Sequence, residues 1–160
     1  MGAAAALASL LVIALTTSAS AHEPPTPAPG ENGPCGQGQS GFANPGTLVD
    51  RVWIYEPVGN SPAPSGGRCN DATRPTSLFI GGYGSFFPEP YNKVIRHFTS
   101  RGYAVVYPGY QVIPWLPYQY WTVKRGAMAA AARGPRLDLD RLGISGHSTG
   151  GGLVPQISIF

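Results

Sequence analysis

One stretch constrains this chain more than any other: Leu139-Asp140-Arg141-Leu142-Gly143-Ile144-Ser145-Gly146-His147-Ser148-Thr149-Gly150-Gly151-Gly152. A short apolar strand, Arg141 to Ser145, runs straight into Gly146-x-Ser148-x-Gly150. That is the nucleophile-elbow pattern, in which a strained strand-to-helix turn lifts a serine hydroxyl clear of a sheet. The spacing follows from sterics. The serine backbone sits in an unfavourable conformation, and a side chain at either flanking position would clash across the turn, so Gly146 and Gly150 relieve it. The backbone N–H of Thr149 then opens the following helix and faces a developing oxyanion. In a chain with 22 glycines among 160 residues the bare pattern is weak, and an ordinary Gly-rich turn is the bland alternative. The strand-like run before it and the three glycines after it raise its weight.

The remaining chain is read in order. Ala3 to Ala19 is almost wholly apolar or small, and Ser18-Ala19-Ser20-Ala21 supplies a small-residue cleavage site. We expect a signal peptide over 1–21, with an uncleaved membrane anchor as the alternative, since the n-region lacks Lys and Arg. The Ala-rich make-up and the Pro-rich sequence after it favour cleavage and secretion, with no stable membrane insertion afterwards. His22 to Gly41 carries Pro24, Pro25, Pro27 and Pro29 and few apolar residues, so 22–41 reads as a flexible lead-in. The two cysteines, Cys35 and Cys69, are in an exported chain most simply one disulfide; a free pair is the alternative. Without nearby histidines they make no metal-ligand set. The net charge of +3 comes from scattered Arg and Lys. Arg133, Arg136 and Arg141 flank a turn, but no aromatic-interleaved basic face accompanies them, so no nucleic-acid partner is expected.

From Phe42 on, the length suits one domain, 42–160. Leu48 to Glu56 is β-branched and aromatic-rich, a strand. Pro57 to Pro75 reads as a loop. Ser77-Leu78-Phe79-Ile80 is a short apolar strand ending at Gly81-Gly82-Tyr83-Gly84. Pro90 opens a helix that places Tyr91, Val94, Ile95 and Phe98 on one face, and Gly102 stops it. Tyr103 to Tyr107 is a buried strand closed by Pro108-Gly109. Tyr118 to Arg133 is Ala-rich and helical, with Gly134-Pro135 as terminator. Strands alternating with helices imply parallel pairing through right-handed crossovers and a three-layer α/β sandwich. Ligands of such sheets sit beyond the carboxyl ends of the strands, where Gly81 to Gly84, Pro108 to Tyr110 and Ser148 all fall. The turn at Gly81 lacks the Lys-Ser/Thr of a phosphate loop and the third glycine of a dinucleotide turn, so neither motif supports a nucleotide cofactor.

The segment Leu137 to Gly152 resembles the elbow region of α/β-hydrolases. It is most similar to secreted cutinase-like and polyester-hydrolase-like serine esterases of the dienelactone-hydrolase group. Ile80-Gly81-Gly82-Tyr83-Gly84 resembles their first oxyanion loop, and Arg101-Gly102-Tyr103-Ala104-Val105-Val106 the strand that follows it. The resemblance covers about residues 45 to 154 and implies an α/β-hydrolase-type, mostly parallel sheet without a cofactor. It implies Ser148 as the nucleophile toward an ester, small or polymeric. It implies the N–H groups of Thr149 and Tyr83 as the oxyanion hole. The Tyr83 ring then either walls the acyl site or is an exposed loop aromatic. Tyr110, Trp115 and Trp121 either line a cleft or pack the excursion between strand and helix.

One departure matters. In this fold the triad runs Ser, then Asp or Glu, then His. After Ser148 the chain has 12 residues, none acidic and none histidine. The base would have to be His22, His97 or His147. His22 adjoins the cleavage site, His97 reads as a surface or half-buried helix residue, and His147 as packing beneath the turn. Pro155 would disturb the elbow helix, and Ile157 to Phe160 reads as strand-like. The elbow strand is left with an open edge, an aggregation hazard. We therefore expect the N-terminal half of a hydrolase, truncated after the elbow. The alternative is a non-catalytic fragment or pseudoenzyme.

Overall fold

A computed structural model describes residues 31–45, 50–110, 116–133 and 136–158. The expected signal peptide, the first part of the lead-in, Leu48 and Trp115 lie outside them. Five strands form one sheet: β1 (Gly36–Ala43), β2 (Arg51–Val58), β3 (Arg74–Ile80), β4 (Ala104–Pro108) and β5 (Leu137–Gly146), ordered β1-β2-β4-β3-β5. Three helices connect or follow them: α1 (Asn92–Ser100), entered through a 3-10 turn over Glu89–Tyr91, α2 (Leu116–Arg133) and α3 (Thr149–Ile157).

The period-2 pattern of the strands makes three layers. Val52, Ile54, Leu78, Ile80 and Val106 join one cluster with Val123 and Ala130 of α2 and Leu153 of α3. The alternate residues Trp53, Tyr55, Phe79, Val105 and Tyr107 meet Ile95 of α1 on the opposite face. Successive side chains of a strand point to opposite faces, so a strand apolar at every position is one covered on both sides. β3 and β4 are buried throughout, as that requires.

The parallel sheet expected from alternating elements holds for β4, β3 and β5. β2 departs from it, pairing antiparallel with both β4 and β1. Four strands thus run one way and β2 alone runs against them. The long link between β2 and β3 contains no helix, so no right-handed crossover forces those strands parallel.

The lead-in reading of 22–41 is corrected in its second part. Gly36–Ala43 is a strand, in register with β2 from Gly36 opposite Val58 to Ala43 opposite Arg51. Its composition offers little apolar surface, and what orders it is non-local. The Cys35–Cys69 disulfide pins its start, and the Cys35 N–H donates to the Ser100 carbonyl at 3.0 Å. The Thr99 hydroxyl donates to the Gln37 side chain at 2.9 Å. The sheet therefore begins before Phe42.

Three smaller expectations are also corrected. Val94 does not join the buried face of α1; it is exposed, while Ile95 is fully buried. Pro155 lies inside α3 without ending it; it is exposed, while Leu153 of the same helix is buried. Ile157 closes that helix rather than opening a strand.

β5 has no strand beyond it among the described residues. Its register slips after Asp138, whose carboxylate accepts the N–H groups of Asp140 and Arg141 at 3.1 and 3.3 Å and so bulges the chain there. Leu139 and Leu142 are exposed, and an apolar groove of about 570 Å³ opens between β5, α2 and α3, lined by Leu78, Ala127, Met128, Ile144 and Ile157. No helix of the described residues is long and apolar enough to cross a membrane.

Candidate active site

The carboxyl ends of β3, β4 and β5 lie together because these strands are parallel. Ile80 pairs with Gly146, so the turn after β3 and the turn after β5 leave the sheet side by side. The His147 N–H donates to the Ile80 carbonyl at 3.0 Å, tying the two turns at their base.

Ser148 has φ 53° and ψ −122°, and it is the one non-glycine residue with positive φ among those described. This backbone region costs an L-residue about 1–3 kcal/mol, and it persists only where the surroundings enforce it. Here the glycines enforce it. A Cβ on Gly146 would meet the backbone of Gly150, with its carbonyl carbon at 2.5 Å, and a Cβ on Gly150 would run into the carbonyls of Ile80 and Gly81. The elbow can close this tightly only with bare α-carbons at both positions. Ser148 is left exposed at the start of α3.

The amides around it fall into two groups. The N–H groups of His147, Gly150 and Gly152 are used within the fold, the last two by the carbonyls of His147 and Ser148. The Gly82 N–H donates to the Tyr91 hydroxyl at 2.7 Å. The N–H groups of Thr149 and Tyr83 have no acceptor among the described residues. A Cβ on Gly82 would lie 3.4 Å from the Ser148 Cβ, so the Gly82-Tyr83 turn sits directly against the serine. Two amides without an acceptor among the described residues thus lie next in sequence to residues at this contact, Thr149 directly after Ser148 and Tyr83 directly after Gly82.

Tyrosine hydroxyls hold this turn. Tyr110 donates to the Gly81 carbonyl at 2.7 Å, and Tyr107 donates to the Ser85 carbonyl at 3.0 Å. Tyr110 is completely buried, so it supports the turn from beneath and lines no cleft. Trp121 is 54% exposed on α2, with the Arg125 guanidinium 3.8 Å from the centre of its ring. Tyr83 is likewise 54% exposed, the loop-aromatic alternative, although its position beside Ser148 leaves the ring able to meet a bound group. Phe86 and Phe87 are exposed in the same loop and form, with Trp53, an apolar hollow of about 280 Å³. A larger groove lies elsewhere, against β5.

Burial raises the hydroxyl pKa of these tyrosines: Tyr55 and Tyr110 are each pushed up to about 12, and Tyr107 is also shifted upward, all chiefly by desolvation. In an unfolded chain they ionise near pH 10. Their contribution to stability is therefore intact below pH 10 and is lost as pH rises from there through about 12. Urea melts across this range should show stability falling steeply, and Tyr110→Phe should make the fall shallower.

His147 does not pack beneath the turn as expected. Its side chain is exposed, and its Nδ1 lies 3.1 Å from the Tyr91 hydroxyl. His97 is half-buried in α1. Among the described residues neither histidine bonds to Ser148 or to a carboxylate, and no group of three His, Cys, Asp or Glu residues is placed to hold a metal. Tyr91 is the participant that the sequence did not single out; its helical spacing suggested only a core contact.

Solved structures share this fold. A fungal esterase from Rhizomucor miehei matches with a TM-score of 0.56 and 17% identity, over 74% of this chain and 37% of that one. An acylaminoacyl peptidase from Pyrococcus horikoshii matches with a TM-score of 0.50 and 17% identity, over 77% of this chain and 20% of that one. This chain therefore spans roughly a third or less of the length of these neighbours. No protein-family model matches it, and no curated protein matches it in sequence. At this identity the likeness establishes the fold: an α/β-hydrolase-type sheet carrying its strand-to-helix turn after β5.

Proposed function

We propose that this chain is the nucleophile-bearing portion of a secreted serine carboxylic-ester hydrolase, cutinase-like or polyester-hydrolase-like, that works through an acyl-enzyme on Ser148. The observation that carries this reading is the positive φ of Ser148, permitted by Gly146 and Gly150 at the carboxyl ends of the parallel strands β3, β4 and β5. In the proposed reaction the Ser148 hydroxyl adds to an ester carbonyl and gives its proton to a base. The N–H groups of Thr149 and Tyr83 hold the resulting oxyanion. Collapse expels the alcohol, and water then releases the acid. The exposed Tyr83, Phe86 and Phe87 favour an ester with an apolar acyl or alcohol group. The Cys35–Cys69 disulfide favours an oxidising compartment such as the extracellular space.

One observation favours a second reading, a non-catalytic chain: no described histidine is placed to take the serine proton, and serine is a poor nucleophile without a base. Both readings are tested by incubating the chain with p-nitrophenyl butyrate, with and without imidazole at high concentration as an external base. The esterase reading expects an acyl group on Ser148, found by peptide mass spectrometry, that forms faster with imidazole and is missing from Ser148→Ala. Acylation spread over several residues, or none at Ser148, would leave only the non-catalytic reading.

A further inference from the structure

The turn that presents Tyr83 is gripped at one peptide unit from both ends. The Gly81 carbonyl accepts from the Tyr110 hydroxyl at 2.7 Å, and the Gly82 N–H of the same peptide donates to the Tyr91 hydroxyl at 2.7 Å. The Tyr91 hydroxyl also lies 3.2 Å from the Ser85 hydroxyl and 3.1 Å from Nδ1 of His147. A phenol hydroxyl donates one hydrogen bond and accepts two, so these three partners fill it. It accepts from the Gly82 N–H, and its own proton goes to either the Ser85 hydroxyl or the His147 Nδ1. The Tyr91 ring is itself held, packed 5.1 Å from Phe79 and 6.0 Å from Tyr107, centroid to centroid. A rigid ring therefore joins the turn after β3 to the residue preceding Ser148 through one oxygen.

We infer that Tyr91, with Tyr110 opposite it, is a positioning residue that sets the plane of the Gly81–Gly82 peptide and thereby aims the Tyr83 N–H at the oxyanion formed on Ser148. The peptide that carries the Tyr83 amide is hinged to this one at the Gly82 α-carbon, so anchoring the first plane sets the point from which the Tyr83 amide leaves. A Cβ on Gly82 would come to 3.1 Å from both the Tyr91 hydroxyl and the His147 ring, so a side chain there would require both to give by a few tenths of an ångström. By occupying the Gly82 N–H, Tyr91 further removes it from competition as a donor and leaves the Tyr83 and Thr149 amides to act as the pair. This inference rests on the esterase reading and adds to it a residue that touches no substrate.

The test uses n-butylboronic acid, a probe of the tetrahedral state that does not depend on turnover. The Ser148 oxygen adds to trigonal boron and its proton passes to the buffer, leaving a tetrahedral boronate anion whose boron hydroxyl or oxyanion faces the two amides. Boron NMR should report this adduct in the wild-type chain and none in Ser148→Ala. Tyr91→Phe keeps the ring packing and deletes only the oxygen; its apparent Kd should weaken about tenfold, a fraction of what losing an oxyanion donor outright costs. Tyr110→Phe reaches the same peptide from its other end and should weaken binding similarly, which keeps the test decisive if one hydroxyl proves essential to folding. A hydroxyl with a merely structural role would lower the melting temperature and leave the boronate affinity unchanged; that result in a folded variant overturns the inference. A wild-type chain that forms no adduct overturns the esterase reading itself, and the inference falls with it.

Discussion

Ser148→Gly is expected to give a protein that is more stable than the parent and wholly unable to be acylated. The parent holds a serine at φ 53° and ψ −122°, a region in which glycine rests without strain. Relief of that strain is worth about 1–3 kcal/mol, and the added freedom of glycine in the unfolded chain gives back about 0.5–1 kcal/mol. A net gain of about 1 kcal/mol should appear in urea melts. The same substitution deletes the hydroxyl, a loss on the order of a million-fold in rate where a complete triad operates. Acylation by p-nitrophenyl butyrate, read by mass spectrometry, should vanish. A destabilised Ser148→Gly would show that the serine conformation is not a strained one. Stability sacrificed at one residue in exchange for an exposed hydroxyl is what separates a functional turn from an ordinary one.

Gly150→Ala should have the largest effect on the fold of any single methyl group added to this turn. Its Cβ would enter the space of the Ile80 and Gly81 carbonyls, which are backbone and cannot swing aside. To make room, α3 would have to move off β3, at a cost of about 3 kcal/mol. That motion also separates the Thr149 amide from the Tyr83 amide, so acylation should fall even in the fraction that stays folded. Gly152→Ala is the matched control. Nothing lies within 4 Å of a Cβ there, and alanine is favoured over glycine in a helix by about 1 kcal/mol. Denaturation midpoints should therefore drop sharply for the first variant and rise slightly for the second. Equal effects at both positions would mean that glycine is needed here for flexibility and not for space.

Much of this site was legible in the residues themselves. The Gly146-x-Ser148-x-Gly150 spacing encodes its own sterics, because the clash that forbids side chains there involves only atoms a few positions apart or in the next strand. The apolar runs around Trp53, Phe79 and Val105 announced strands, and the Ala-rich run before Arg133 announced a helix, since periodicity is a local property. Less legible was Gly36–Ala43, where polar and glycine residues gave no apolar signal and order came from a disulfide and a neighbouring strand. The role of Tyr91 was hidden for the same kind of reason. As the residue that enters α1 it looked like core, and only its oxygen, placed by the packing of its ring, marks it as something else.

By itself, then, the sequence determined most of the elements, the three-layer class and the tight turn at Gly146, Ser148 and Gly150, because each depends on short-range sterics or on the period of burial. The tertiary structure alone decided which strands are neighbours. It reversed β2, recruited β1 and set β3 beside β5, so that Ile80 faces Gly146 across 66 residues of chain. That one pairing brings the turn at Gly82 against Ser148. It is a matter of how the whole apolar surface is shared between two sheet faces, and no local stretch of residues contains it.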